Sequence, residues 1–206
     1  MDIVAEKKRL RAEMKARRDA LSHNEIREAA YLSARALFNP MAMNLFSRFR
    51  GFATYMSVRS EFPTDRINCE LVRVGAPICV PYYRREHKDY AWASFTAGEP
   101  LIAGHMGIPE PAEPKIADPA AIDVALIPGI AFDVCGGRIG YGAGVYDQLL
   151  PKLRAGILRV ALAFDFQVQK EELPQEEHDL PMDYIVTEKQ WIDCRLARRL
   201  RRMRNA

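Results

Sequence analysis

Cysteine is sparse and scattered. Cys69, Cys79, Cys135 and Cys194 form no CxxC pair, and none of the four histidines clusters with them. This excludes a zinc site of the usual ligand spacing and argues against a disulfide framework. No apolar run approaches the ~18 residues of a membrane-spanning helix, so no membrane partner is expected. Residues 1–18, MDIVAEKKRLRAEMKARR, lack the apolar core of a secretory signal. A cytoplasmic protein with reduced thiols is expected, with Cys69 and Cys79 in the core and Cys135 in a loop. There is no internal repeat and no low-complexity linker. No serine or cysteine stands beside a histidine in a pattern that suggests nucleophilic catalysis.

Hydrophobic residues make up 49% of the 206 residues and charged residues 28%. Both are ordinary globular values, which excludes a disordered chain, a collagen and a coiled-coil rod. A single domain of this length buries roughly 70% of its unfolded surface, and one domain over residues 1–206 is expected. The net charge is +3, from 30 basic and 27 acidic residues. Six of the arginines lie in RLARRLRRMR at 195–204; without them the body carries 24 basic against 27 acidic residues. A basic nucleic-acid-binding body is therefore not indicated. The arginine run reads as a solvated helix face. The alternative is a non-catalytic binding protein that uses this tail on RNA or an acidic partner.

Periodicity gives the order of elements. Residues 3–20 read as a helix with Leu10 and Met14 on one face and Lys7, Arg11, Lys15 and Arg18 on another. Ser22 and Glu25 form a capping box that opens a second helix, stopped at Asn39-Pro40. GFATYMSV at 51–58 reads as a strand, and Thr64 as the N-cap of a helix that Gly75 closes. Residues 77–81 form the next strand, parallel to the first across a right-handed crossover. DYAWASF at 89–95 is a further strand, and 97–120, rich in Pro and Gly, is expected to be mostly irregular. Ile122–Ile130 suits a central strand buried on both faces. A glycine-rich turn, a helix at 145–153 and strands at 159–164 and 184–188 follow. A helix at 191–203 has Ile192, Leu196, Leu200 and Met203 on its apolar face. The sum is a single-domain, three-layer α/β sandwich with a mostly parallel, Rossmann-like sheet.

The segment PGIAFDVCGGRIGYGAGVYDQLL at 128–150 holds Gly136, Gly137, Gly140, Gly142 and Gly144, five of twelve glycines. It lies between a buried strand and a helix, where a phosphate would meet a nest of amides and a helix N-terminus. Arg138 adds a forked cation, Tyr141 an aromatic edge and Asp147 a carboxylate. The segment is neither a Walker A sequence nor GxGxxG; the bland alternative is a tight turn. Glu61 follows the carboxyl end of a parallel strand, the edge where α/β sheets bind ligands; otherwise it is a solvated loop carboxylate. Asp179 is either a turn residue at a strand entrance or a partner of Asp147 for Mg²⁺. Lys7 and Arg11 either form a solvated face or help hold a triphosphate. Met106 and Trp92 are candidates for stacking on a planar ligand or for ordinary packing.

In order along the chain, KKRLRAEMKARRDALS, YMSVRSEFPTDRI, ICVPYY, GIPEP at 107–111, PGIAFDVCGGRIGYGAGVYDQLL and HDLPMDYIVTE together resemble the 5-formyltetrahydrofolate cyclo-ligase family, the methenyltetrahydrofolate synthetases. The glycine-rich segment is close to the family pattern PGLAFD…RLGYGGGYYD. The resemblance implies an ATP-dependent ligase that converts 5-formyltetrahydrofolate to 5,10-methenyltetrahydrofolate through phosphorylation of the formyl oxygen. It implies that ATP is held by Lys7 and Arg11 with Arg138, Ile139, Gly140, Tyr141, Gly142, Ala143, Gly144, Val145 and Tyr146. The folate would contact Met56 and Glu61, with Tyr141, Gly142, Ala143, Gly144 and Val145 touching it too. Asp147 and Asp179 would hold Mg²⁺. Arg138, at the transferring phosphoryl group, and Glu61, at the folate, are expected to carry the catalysis. No nucleic-acid partner is expected, and the chain is expected to be a monomer or weak homodimer. The chain departs from the pattern at Val145, where the family has a tyrosine, at Ala143, where glycine or lysine is usual, and at Met106, where an aromatic residue would stack on the pterin.

Overall fold

In a computed structural model describing residues 2–39, 49–96, 98–177 and 179–205, helix α1 spans Ile3–Asp19. It starts where the Asp2 carboxylate accepts the Val4 and Ala5 amides. Helix α2, His23–Leu37, opens on the expected capping box: the Ser22 hydroxyl accepts the Glu25 amide, and the Glu25 carboxylate accepts the Ser22 amide. It ends at Phe38; the expected stop at Pro40 lies outside the described residues. Strand β1 is only Phe52–Ala53, followed by α3 at Asp65–Arg73, β2 at Ile78–Arg84 and β3 at Asp89–Phe95. The strand expected over 51–58 is cut short because the chain turns out of the sheet at Tyr55. The Tyr55 carbonyl accepts the Thr64 hydroxyl at 2.6 Å and the Asn68 amide at 3.1 Å. Thr64 therefore spends its hydroxyl on the loop and makes no side-chain cap to α3.

The stretch expected to be irregular holds short strands β4 (Leu101–Ala103), β5 (Pro109–Pro111) and β6 (Lys115–Ile116). The buried Glu110 carboxylate accepts the Tyr83 and His105 amides, which ties the β4–β5 hairpin to β2. Then come β7 (Val124–Ile127), β8 (Ala131–Asp133), β9 (Arg138–Ile139), α4 (Val145–Leu149), β10 (Leu158–Leu162), β11 (Val168–Gln169), β12 (Tyr184–Val186), β13 (Trp191–Asp193) and α5 (Cys194–Asn205). The last helix begins later than expected. Trp191–Asp193 pairs antiparallel with β12, and Asp193 caps the helix by accepting the Arg195 and Leu196 amides.

The main sheet has eight strands in the order β13-β12-β10-β7-β1-β2-β3-β6. The five from β12 to β2 run parallel; β13 pairs antiparallel with β12 at one edge, and at the other β3 pairs antiparallel with β2 and β6 antiparallel with β3. A smaller sheet joins β11, β8 and β9. Alternate strand residues point to opposite faces, and both faces are covered. Phe52, Val124, Leu126 and Val160 pack with Ala34 and Leu37 of α2 and Ile67 and Leu71 of α3. Ala53, Ala125, Ile127 and Ala161 pack with Tyr146, Leu149 and Leu150. Leu10 and Met14 of α1 form a third cluster with Ile130, Ala131 and Ile139, so α1 lies against the smaller sheet.

Cys79 and Cys194 are buried, and burial pushes their thiols up to about 11 and about 12. Cys69, expected in the core, is exposed: it lies on the face of α3 opposite Ile67 and Leu71. Among the described residues no helix is long and apolar enough to cross a membrane.

Leu126, fully buried in the central strand, and Ser22 separate two scales of stability. Leu126→Ala should cost about 2–5 kcal/mol through lost burial and a cavity, and Ser22→Ala about 0.5–2 kcal/mol through the lost cap. Urea unfolding of the two variants checks both, with the larger loss expected at Leu126.

Candidate active site

The chain leaves β1 for β2 on one side and returns to β7 on the other, so β1 and β7 are neighbours at a reversal of strand order. Ligands of open α/β sheets bind outside the carboxyl ends of strands at such a point. A cleft lies there. Its walls include Met56, Val58, Arg59, Ser60 and Glu61 after β1, and Pro128 after β7. Arg138, Gly140–Asp147, Met106 and Ile108, and Lys15 and Arg18 of α1 complete it.

The loop after β1 is locked by its own backbone. The Val58 amide donates to the Glu61 carboxylate at 3.0 Å, and the Glu61 amide donates to the Val58 carbonyl at 3.0 Å. Asn68 reaches the Met56 sulfur at 3.8 Å. Burial pushes the Glu61 carboxyl above the usual carboxylate range. The Val58 amide, the Tyr141 hydroxyl and the Arg18 and Arg59 charges oppose that shift by favouring the ionised form.

The opposite wall is the glycine-rich segment. Gly136 and Gly137 do not line this cleft; they make the β8–β9 turn, where Asp133 accepts the Cys135 and Gly137 amides. Gly140, Gly142 and Gly144 do line it. Gly142 and Gly144 have φ of +87° and +69°, a region that side chains disfavour. The Arg11 Nε donates to the Gly140 carbonyl at 2.9 Å, which puts a cation against the loop. Arg138, largely buried, pairs with the half-exposed Asp147 at 3.0 Å and lies 5.7 Å from the Tyr146 ring centre. Burial raises Tyr146 well above the usual phenol range.

The structure thus brings together Met56, Glu61, Arg138 and the loop Gly140–Asp147, with Arg11 behind the loop. Ile139 points instead into the α1 cluster. Lys7 and Asp179 do not reach the cleft. The Lys7 ammonium donates to Glu176 at 2.7 Å and to Asp179 at 3.1 Å. Burial lowers Lys7, but these two carboxylates outweigh it and hold the group raised. Asp179 lines a separate depression with Glu172, Gln175, Arg198 and Arg201. Asp147 and Asp179 therefore do not face one point, as sharing a cation would require. Among the described residues no three His, Cys, Asp or Glu side chains group as metal ligands. Trp92 is core, edge-on to Tyr146 at 6.4 Å, whereas Met106 is exposed on the cleft with φ +58°.

Arg18 is the cleft residue that the periodicity placed wrongly. Reading Lys7, Arg11, Lys15 and Arg18 as one polar face hid the true buried stripe, Lys7-Leu10-Met14-Arg18. The signal available was the 3–4–4 spacing of those four positions.

Lys7 tests how far the fold depends on the buried cation that Glu176 and Asp179 face. Lys7→Met should remove the buried cation that both carboxylates face and cost about 1–3 kcal/mol, measured by urea unfolding at neutral pH.

The model of the 5-formyltetrahydrofolate cyclo-ligase family matches residues 3–188. The chain is similar to a 5-formyltetrahydrofolate cyclo-ligase of Mycolicibacterium smegmatis, with 31% identity over 69% of this chain and 76% of the relative. It is similar to the mouse (Mus musculus) 5-formyltetrahydrofolate cyclo-ligase, with 27% identity over 88% of this chain and 93% of the relative. Among solved structures, the Aquifex aeolicus 5,10-methenyltetrahydrofolate synthetase superposes with a TM-score of 0.76 at 30% identity, covering 92% of this chain and 93% of that one.

Proposed function

The chain belongs to the 5-formyltetrahydrofolate cyclo-ligase family, and from that premise we propose that its cleft cyclises 5-formyltetrahydrofolate to 5,10-methenyltetrahydrofolate with cleavage of ATP to ADP and phosphate. The observation that carries this reading is one cleft with a recessed carboxylate, Glu61, on one wall and an arginine-flanked glycine loop on the other. The first suits a ring that offers N–H donors; the second suits a polyphosphate.

The formyl oxygen attacks the γ-phosphorus, and ADP leaves. N10 of the same folate then attacks the activated carbon, and phosphate leaves with the formyl oxygen. Phosphoryl transfer of this kind needs positioning and charge neutralisation more than a protein nucleophile. Glu61 accepts the ring N–H groups and fixes the formyl group in line with the phosphate. Met56 lies against the same ligand. The backbone of Gly140–Gly144 turns amides toward the phosphates, with Arg11 behind it, and Arg138 neutralises the transferring phosphoryl.

ATP enters as its magnesium complex. Asp147, a half-exposed carboxylate at the rim of the cleft, fits a cation that takes its remaining ligands from phosphate oxygens and water. Asp179, bonded to Lys7, does not fit as a second ligand in this arrangement. Lys7 acts at one remove by holding the Glu176 and Asp179 carboxylates. Arg195, Arg198 and Arg201 of the C-terminal helix are bonded within the fold, which supports a structural reading of that run.

Mixing the protein with Mg·ATP and 5-formyltetrahydrofolate should give the absorbance rise of methenyltetrahydrofolate, and exhaustive chelation should abolish it. Turnover undiminished by chelation would remove the metal from the scheme, and no turnover under any condition would remove the reaction.

Glu61→Gln keeps the shape but turns one acceptor into a donor that faces a donor. It should weaken 5-formyltetrahydrofolate binding by about 1.5–3 kcal/mol, roughly 10- to 150-fold, while an ATP analogue binds as before. Paired titrations of the folded variant check this; equal loss of both ligands would point to a distorted cleft instead.

A further inference from the structure

Arg18 stands in the last turn of α1 with 3% of its surface exposed, and its guanidinium is bonded to three elements around the cleft. One terminal nitrogen donates to the Tyr141 hydroxyl at 2.5 Å and to the Gly129 carbonyl at 3.4 Å. The other donates to the Ser60 hydroxyl at 3.2 Å. Ser60 belongs to the loop that carries Glu61, Tyr141 to the glycine-rich loop, and Gly129 to the turn between β7 and β8. Gly129 is itself held: its carbonyl also accepts the Gln167 side-chain amide at 3.0 Å.

The glycine-rich wall offers few handles. Residues 140–144 include three glycines, and Tyr141 alone among them has a polar side-chain atom. Glycine gives such a loop wide backbone freedom, and two arginines of α1 restrain it: Arg11 on the Gly140 carbonyl at 2.9 Å and Arg18 on the Tyr141 hydroxyl. On the other wall the Ser60 hydroxyl accepts from Arg18 and gives its one proton to Asp19, the last residue of α1, at 2.5 Å. The guanidinium nitrogens lie in one rigid plane, so a single group fixes where a point on each wall stands. A buried cation whose hydrogen bonds all go to uncharged groups is costly to keep. Such breaches of local rules concentrate where function needs them.

We infer that Arg18 is a positioning residue that sets the spacing of the two cleft walls, and with it the alignment of the group bound on one wall with the phosphoryl group bound on the other. This rests on the cyclo-ligase reading, in which the formyl oxygen must lie in line with the γ-phosphorus. A misplacement of about 1 Å in such a step costs on the order of 100-fold. Each wall keeps its own contacts to its own ligand when Arg18 is lost. Losing Arg18 should therefore separate binding from chemistry: both ligands bind, and the bound pair reacts slowly.

The test compares the full chain as wild type, Arg18→Lys, Arg18→Met, Ser60→Ala and the Arg18→Met/Ser60→Ala double variant. The readouts are the dissociation constants for 5-formyltetrahydrofolate and for an ATP analogue, each alone, and the single-turnover rate with 5-formyltetrahydrofolate and Mg·ATP saturating. Arg18→Lys keeps the charge and loses the fork. Both Arg18 variants should bind each ligand within about threefold of wild type and cyclise roughly 100-fold more slowly. Ser60→Ala removes one arm and should slow the step roughly tenfold; added to Arg18→Met it should do nothing further, because the two act through one contact. A wild-type single-turnover rate in a folded Arg18 variant overturns the inference, even if one ligand binds more weakly, because Arg18 would then be a binding contact. Weakening of both ligands together with an additive double variant also overturns it, in favour of a general role in stability. If neither Arg18 variant folds, Ser60→Ala decides: an unchanged rate overturns the spacing role, and a slowed rate with both affinities kept supports it. Wild-type protein without turnover would overturn the cyclo-ligase reading and this role with it, whereas wild-type turnover with unaffected variants removes the role of Arg18 alone.

Discussion

The buried Asp133 carboxylate organises the glycine-rich wall of the cleft. It accepts the Cys135 amide at 2.8 Å, the Gly137 amide at 3.0 Å and the Leu173 amide at 2.9 Å. Three donors on one recessed carboxylate close the β8–β9 turn and tie it to the segment at residue 173. Strand β9 leaves that turn carrying Arg138, and the loop Gly140–Gly144 leaves β9. The approach is so close that a side chain at Gly137 would overlap an Asp133 oxygen, with a Cβ at 2.2 Å from it. Two of the five clustered glycines are thus spent on building the hairpin, and three remain to face the cleft.

The opposite wall is set by sheet topology and by a short polar lock. Strand β1 ends after two assigned residues because Thr64 and Asn68 draw the Tyr55 carbonyl out of the ladder. The chain then turns back on itself between Val58 and Glu61. A longer β1 would carry Glu61 away from β7 and from the glycine loop. The truncation that makes β1 a poor strand is therefore what brings a carboxylate to the point where the strand order reverses. Helix α1 completes the cleft from outside the main sheet, with Leu10 and Met14 seated on the smaller sheet and Arg18 at its last turn reaching between the two walls.

Much of this was legible in the residues. The apolar runs marked the strands, and the capping box marked α2. The glycine-rich segment and Glu61 could be read as facing one cleft, since both follow strands that end at the same edge, and both line it. What was not legible has a common cause: long side chains whose destination depends on tertiary packing. Lys7 and Arg18 sit on the buried stripe of α1 because each finds polar partners there, and composition alone assigns such residues to solvent. The structure lines separate depressions with Asp147 and Asp179 for a related reason. Lys7 claims Asp179 at 3.1 Å and Arg138 claims Asp147 at 3.0 Å, so each carboxylate is fixed by a cation that sequence distance does not reveal. Thr64 looked like a helix cap, but a hydroxyl so close to a turning backbone found a better acceptor in the Tyr55 carbonyl.

The arginine-rich C-terminal helix shows the same logic in reverse. Leu196, Leu200 and Met203 read as the apolar face of the helix, yet all three are exposed. The helix is held through its charges instead. Arg198 donates to the Cys135 carbonyl at 2.6 Å and the Met182 carbonyl at 2.7 Å and lies 3.6 Å from Asp183, while Arg201 pairs with Glu172 at 3.0 Å. Cys135 belongs to the same turn that Asp133 closes from inside. The turn is therefore fixed from two sides, by a buried carboxylate that takes its amides and by an arginine that takes its carbonyl. Each bond uses a backbone group that the other cannot, because one partner only accepts and the other only donates. The charge that looks surplus in the sequence is in part spent on holding the hairpin that aims Arg138 into the cleft.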